Sequence, residues 1–98
     1  MSRTLLERRL ADVSGRLRAL RDELGVVEEQ LAALADAADD ARIRALVSET
    51  PLADREHDEA RRHADAMASH RAAVVAELDR LQRTEDDLLD RLVAESRR

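Results

Sequence analysis

Ninety-eight residues, 40% of them charged and none aromatic, make at most one domain and supply too little bulky apolar material for a compact layered core. A net charge of −5 with acids and bases interspersed speaks against a general nucleic-acid binder, which needs a net basic face to displace counterions. The chain has no cysteine, so it offers no disulfide framework, no Cys-based zinc site and no thiol nucleophile.

The first predicted element is a long helix over about residues 4–47. Its apolar residues fall at Leu6, Leu10, Val13, Leu17, Leu20, Leu24, Val27, Leu31, Leu34, Ala38 and Ala41, in alternating steps of four and three. That spacing is a sustained heptad seam. Thr4 and Glu7 have the spacing of a capping box, which puts the helix start near Thr4, with Ser2 as the alternative cap. Gly15 and Gly25 lie off the seam, and each costs about 1 kcal/mol against alanine. They read as tolerated surface glycines, the alternative being close approach of a partner backbone or a weak bending point.

The connection follows at Ser48 to Pro51. Proline suits a first helical position and Thr50 before it is a good N-cap. A link this short forces the two helices to be antiparallel neighbours.

A second helix over about residues 51–95 repeats the pattern at Ala60, Ala64, Met67, Val74, Leu78, Leu81, Leu88 and Leu92, with Arg71 and Glu85 in seam positions. Facing residues in a hairpin have numbers that add to a constant, and here that constant is 98, as in Leu6 with Leu92, Leu17 with Leu81 and Leu31 with Met67. Its midpoint, Glu49, falls on the link that Thr50 and Pro51 define independently. The expectation is therefore an all-α fold, a single antiparallel two-helix coiled-coil hairpin over residues 1–98, each helix about 65 Å long at 1.5 Å per residue. In this register Arg71 faces Val27 and Glu85 faces Val13. Their heads are expected to escape to the flank and favour the antiparallel arrangement, the alternative being pairing with a second hairpin.

Two surfaces stand out as candidate contacts. Ala68, Ala72, Val75 and Leu89 widen the apolar stripe of the second helix toward one flank, where another helix could dock. Near the turn, acids crowd the chain, with Glu49, Asp54 and Glu56 as candidate tip contacts. His57, His63 and His70 sit on the turn side of helix two; the last two are two turns apart, too wide to ligate one metal from a single helix, and no His-Glu-x-x-His string exists. Paired carboxylates need a cleft to perturb them, which a two-helix hairpin does not provide. No catalytic, cofactor-binding or metal-binding residue is therefore assigned, and neither a cofactor nor a small-molecule substrate is expected.

In outline, a hairpin with acids at its tip is similar to the coiled-coil arm of the Gre and DksA type of RNA-polymerase secondary-channel factors, which present tip acids near the catalytic magnesium. That resemblance implies a regulator of a macromolecular machine such as RNA polymerase or the ribosome. Chain length and turn position also resemble the WxG secretion substrates of high-GC Gram-positive bacteria, helical hairpins that pair into four-helix bundles. Here Val47-Ser48-Glu49-Thr50 stands where that family has Trp-x-Gly, and there is no tyrosine for its secretion signal.

The leading expectation is a non-enzymatic coiled-coil interaction module that works through protein–protein contacts, by self-association to a homodimeric four-helix bundle or by binding another helical protein. All seventeen basic residues are arginine, a bias typical of a GC-rich bacterial genome. No run of about 18 apolar residues occurs, so no membrane partner is expected and a cytoplasmic location is the default.

Overall fold

The computed structural model describes residues 2–97. It contains two helices, α1 (Arg3–Ser48) and α2 (Pro51–Ser96), packed against each other as an antiparallel hairpin with no strand among the described residues. Packing divides into two compact units. One joins α1 up to Glu23 to α2 from Val74 onward, and the other is Leu24–Ala73, which contains the turn.

Each unit is built on residues three and four apart. In the first, Leu6, Leu17, Val74, Leu81 and Leu88 are buried, Leu17 to 1% exposure. In the second, Val27, Ala41 and Ala53 are buried, while Leu31, Leu34, Ala38, Ala60, Ala64 and Met67 are half-buried. Fully covering one leucine or valine side chain stabilises by about 1.5–3 kcal/mol, so this thin line of aliphatics carries most of the hairpin's stability. The seam runs further toward the turn than the leucine spacing indicates, because Ala45, Ala53 and His57 also face inward.

Polar side chains fix the register. Ser14 Oγ donates to Glu85 Oε2 at 2.8 Å, and Gln82 Nε2 donates to the other oxygen at 3.1 Å. Arg71 reaches across to Glu28, its Nη2 3.3 Å from Oε2. The residue numbers of these two interhelical pairs, Ser14 with Glu85 and Glu28 with Arg71, both total 99. Arg21 with Gln82 totals 103 and Arg16 with Glu77 totals 93, which places them on opposite sides of a seam centred at 98. Both charged seam residues thus turn their heads outward and find partners on the facing helix of the same chain. No buried polar side-chain atom among the described residues lacks a partner.

At the N-terminus of α1 the alternative cap is the one used. Ser2 is the cap: its Oγ accepts the Leu5 amide at 3.2 Å, and its carbonyl accepts the Leu6 amide at 3.0 Å. The helix accordingly begins at Arg3, one residue before the Thr4 start. Glu7 does not close a box on Thr4, since its carboxylate is held by Arg3 Nε at 3.1 Å. An ion pair one turn apart competes directly with the back-bond of a capping box for the same oxygens.

The two helical glycines adjoin nothing. A Cβ at Gly15 or Gly25 would meet no atom within 4 Å, and neither has a positive φ. Beyond its own helix, nothing among the described residues comes close to a Cβ at either position.

Candidate interaction surface

The turn is shaped by three consecutive residues. Glu49 closes α1 in the left-handed region at φ 51°, and its amide donates to the Ala45 carbonyl at 3.1 Å, the single-bond form of a left-handed helix end. Thr50 then caps α2: its Oγ1 accepts the Ala53 amide at 3.2 Å and its carbonyl accepts the Asp54 amide at 3.1 Å. Pro51 occupies the first helical position, where its missing N–H costs nothing.

Around this turn the chain exposes large apolar side chains. Ile43 is 52% exposed, Leu46 66%, Val47 80% and Leu52 60%, half of all the exposed large hydrophobics among the described residues. Ile43, Leu46 and Val47 are three and four residues apart, so they share one face of the last turns of α1. Leu52 lies in the first turn of α2. Leaving several such side chains in water forgoes their transfer free energy, so their concentration near one turn marks a contact site more often than scattered single residues do.

The three acids proposed as tip contacts, Glu49, Asp54 and Glu56, are all exposed. Asp54 stands in the first turn of α2, where a negative charge compensates the positive end of the helix dipole, so it has a local structural role besides any contact. Arg42, Arg44 and Arg55 lie in the same stretch of chain as these acids, which makes the surroundings of the turn mixed in charge rather than uniformly acidic.

The flank candidates divide between the units. Ala68 and Ala72 are exposed in the turn-containing unit. In the other unit Val75 is half-buried, and Leu89 is 42% exposed beside Val93, one turn on and 50% exposed. Most of the exposed bulk on this flank is therefore at Leu89 and Val93.

The histidines form no cluster. His57 is half-buried in the seam, while His63 and His70 are exposed. Among the described residues, no group of three or more His, Asp or Glu side chains is placed to hold a metal ion. Arg55, Glu59, Arg62 and His63 line a surface hollow of about 460 Å³, and every one of them belongs to α2. The electrostatically distinctive group lies elsewhere, at Glu77. Arg80 donates to its carboxylate at 2.9 Å and, with Arg16, holds its carboxyl below the ordinary 4.5 against the opposing effect of partial burial. Arg80 is pushed up in turn by Glu77.

The fold and its surfaces define the class of an all-α helical-hairpin protein. No protein family, curated protein or solved structure matches this chain. No helix among the described residues is long and apolar enough to cross a membrane.

Proposed function

We propose that the chain is a non-enzymatic coiled-coil interaction module of the bacterial cytoplasm, which acts by apolar contact with another helical protein. The observation that carries this reading is the group Ile43, Leu46, Val47 and Leu52, exposed by 52–80% around a turn whose backbone is fixed by Glu49 and Thr50. A defined turn presents these side chains at little further cost in conformational entropy, which favours binding through them. The flank at Leu89 and Val93 supplies a second, smaller apolar contact.

Capture of interacting proteins from a bacterial extract on immobilised hairpin tests the reading. The Leu46→Asp/Val47→Asp variant is expected to lose what the wild type retains while keeping its helical circular dichroism. Equal retention by wild type and variant would count against the turn as the contact.

The tip-acid regulator reading differs in its sensitivity. It requires Glu49→Gln/Asp54→Asn/Glu56→Gln to abolish binding, whereas apolar contact leaves that variant active. The mixed charge around the turn favours apolar contact.

A further inference from the structure

On the side of α2 away from its buried seam, six exposed residues follow one another in steps of four and three: Ala76, Arg80, Arg83, Asp87, Asp90 and Ala94. Steps of this kind keep residues on one face, as they do in the buried seam. The order of charge along this face, two arginines followed by two aspartates with an alanine at each end, becomes its own complement when the direction is reversed. In an antiparallel pair of identical helices centred on Glu85, Arg80 stands level with Asp90 of the second copy, Arg83 with Asp87, and Ala76 with Ala94. Each of these pairs occurs twice.

We propose that this face of α2 packs against the same face of a second copy of the chain, antiparallel and about a two-fold axis at the level of Glu85. The proposal rests on the reading of the chain as an interaction module and names one of its partners. Charge complementarity selects the occupant, because a parallel arrangement in the same register sets Arg83 against Arg83 and Asp87 against Asp87. The charges are available to exchange partners. Arg83 and Asp90 have no ion pair or side-chain hydrogen bond among the described residues, and the local pairs Arg80 with Glu77 and Arg91 with Asp87 are solvent-exposed at the arginine. Individual exposed ion pairs contribute little, so the charges chiefly set direction and register, while the alanines at either end allow the helix axes to come close.

Surface area supports a partner of this size. The chain exposes 7020 Å². A compact monomer of its 11.0 kDa mass would expose about 5,600 Å². The surplus of about 1,400 Å² exceeds the roughly 800 Å² that each partner contributes to a standard interface. The contact is confined to the unit that contains Val74 onward, so it leaves the apolar residues around the turn free for another protein.

Sedimentation equilibrium of the full chain tests the proposal with two charge variants, Arg80→Asp/Arg83→Asp and Asp87→Arg/Asp90→Arg. The wild type is expected to sediment at twice its 11.0 kDa chain mass. Each variant alone places like charges opposite one another, which should raise the dissociation constant at least about tenfold. An equimolar mixture of the two should regain the dimer, since an all-acidic face then meets an all-basic one.

Cross-linking provides a check that leaves the charges untouched: Ala76→Cys/Ala94→Cys in this otherwise cysteine-free chain should oxidise to a doubly linked dimer. A monomeric wild type, variants that each dimerise as well as the wild type, or absence of the cross-linked dimer would overturn the proposal. The second of these outcomes would transfer self-association to the Leu89 flank. None of them decides binding at the turn, which Leu46→Asp/Val47→Asp tests separately.

Discussion

The Ser14 hydroxyl donates a 2.8 Å hydrogen bond to the Glu85 carboxylate, which ties a charge standing in the apolar seam of α2 to the flank of α1. A bond of this kind to a partly buried carboxylate contributes about 1 kcal/mol. Ser14→Ala should therefore lower the free energy of unfolding in urea by about that amount. Glu85→Leu, which removes the charge and fills the seam, should be neutral or stabilising, as replacement of a partly buried charge by an apolar side chain often is. A clear loss of stability in Glu85→Leu would show that the charged network contributes more than its apolar replacement.

Glu49 tests the turn. A side chain in the left-handed region costs about 1–2 kcal/mol relative to the right-handed one, and glycine avoids most of that cost. Glu49→Gly should raise the unfolding free energy by about 0.5–1 kcal/mol, glycine's greater freedom in the unfolded chain offsetting part of the gain. Equal or lower stability on thermal melting would mean that the glutamate side chain contributes at the turn.

Gly15 and Gly25 have open space where a Cβ would go. Alanine at either position should stabilise by up to about 1 kcal/mol, or a rise in melting temperature of about 4–8 °C for a domain of this size. The two sites are ten residues apart and touch no common neighbour, so the gains should add in the double variant. A gain in stability accompanied by loss of a bound protein would reveal close approach of a partner backbone at that glycine.

Acid should act through Glu77. Its folded-state carboxyl lies below the ordinary 4.5, chiefly because of the hydrogen bond from Arg80. The group therefore stabilises the fold above its unfolded value, and the contribution is lost as pH falls through the lower folded value. The difference in melting temperature between wild type and Glu77→Gln should be constant above about pH 5 and shrink as the solution is acidified below about pH 4. A difference that grew on acidification would have the wrong sign.

The seam was legible because Leu17, Leu81, Leu88 and their neighbours keep one spacing through both helices, and because Thr50 and Pro51 mark the turn chemically. The heptad spacing and the turn chemistry share one midpoint, and the interhelical pairs of Ser14 and Arg71 agree with it to within one residue number. The helix start was not legible, since Ser2 and Thr4 are both competent caps and the choice depends on Glu7 pairing with Arg3. Nor was the left-handed Glu49, because composition flags glycine and asparagine for that conformation and not glutamate.

The exposed residues around the turn were present in the sequence as a signal of a different kind. Ile43, Leu46, Val47 and Leu52 are large and apolar yet stand outside the heptad seam. They do not fit the period that marks the buried positions. Their significance lies in not fitting it, because a side chain excluded from the seam has no other place to be buried within two helices.

Quantitative capture with wild type, Leu46→Asp/Val47→Asp and Glu49→Gln/Asp54→Asn/Glu56→Gln, side by side at equal helicity, separates apolar contact at the turn from contact through its acids. Only the apolar variant is expected to lose the bound protein. Full retention by that variant, with loss in the acid-neutralised one, would place the contact at the acids instead.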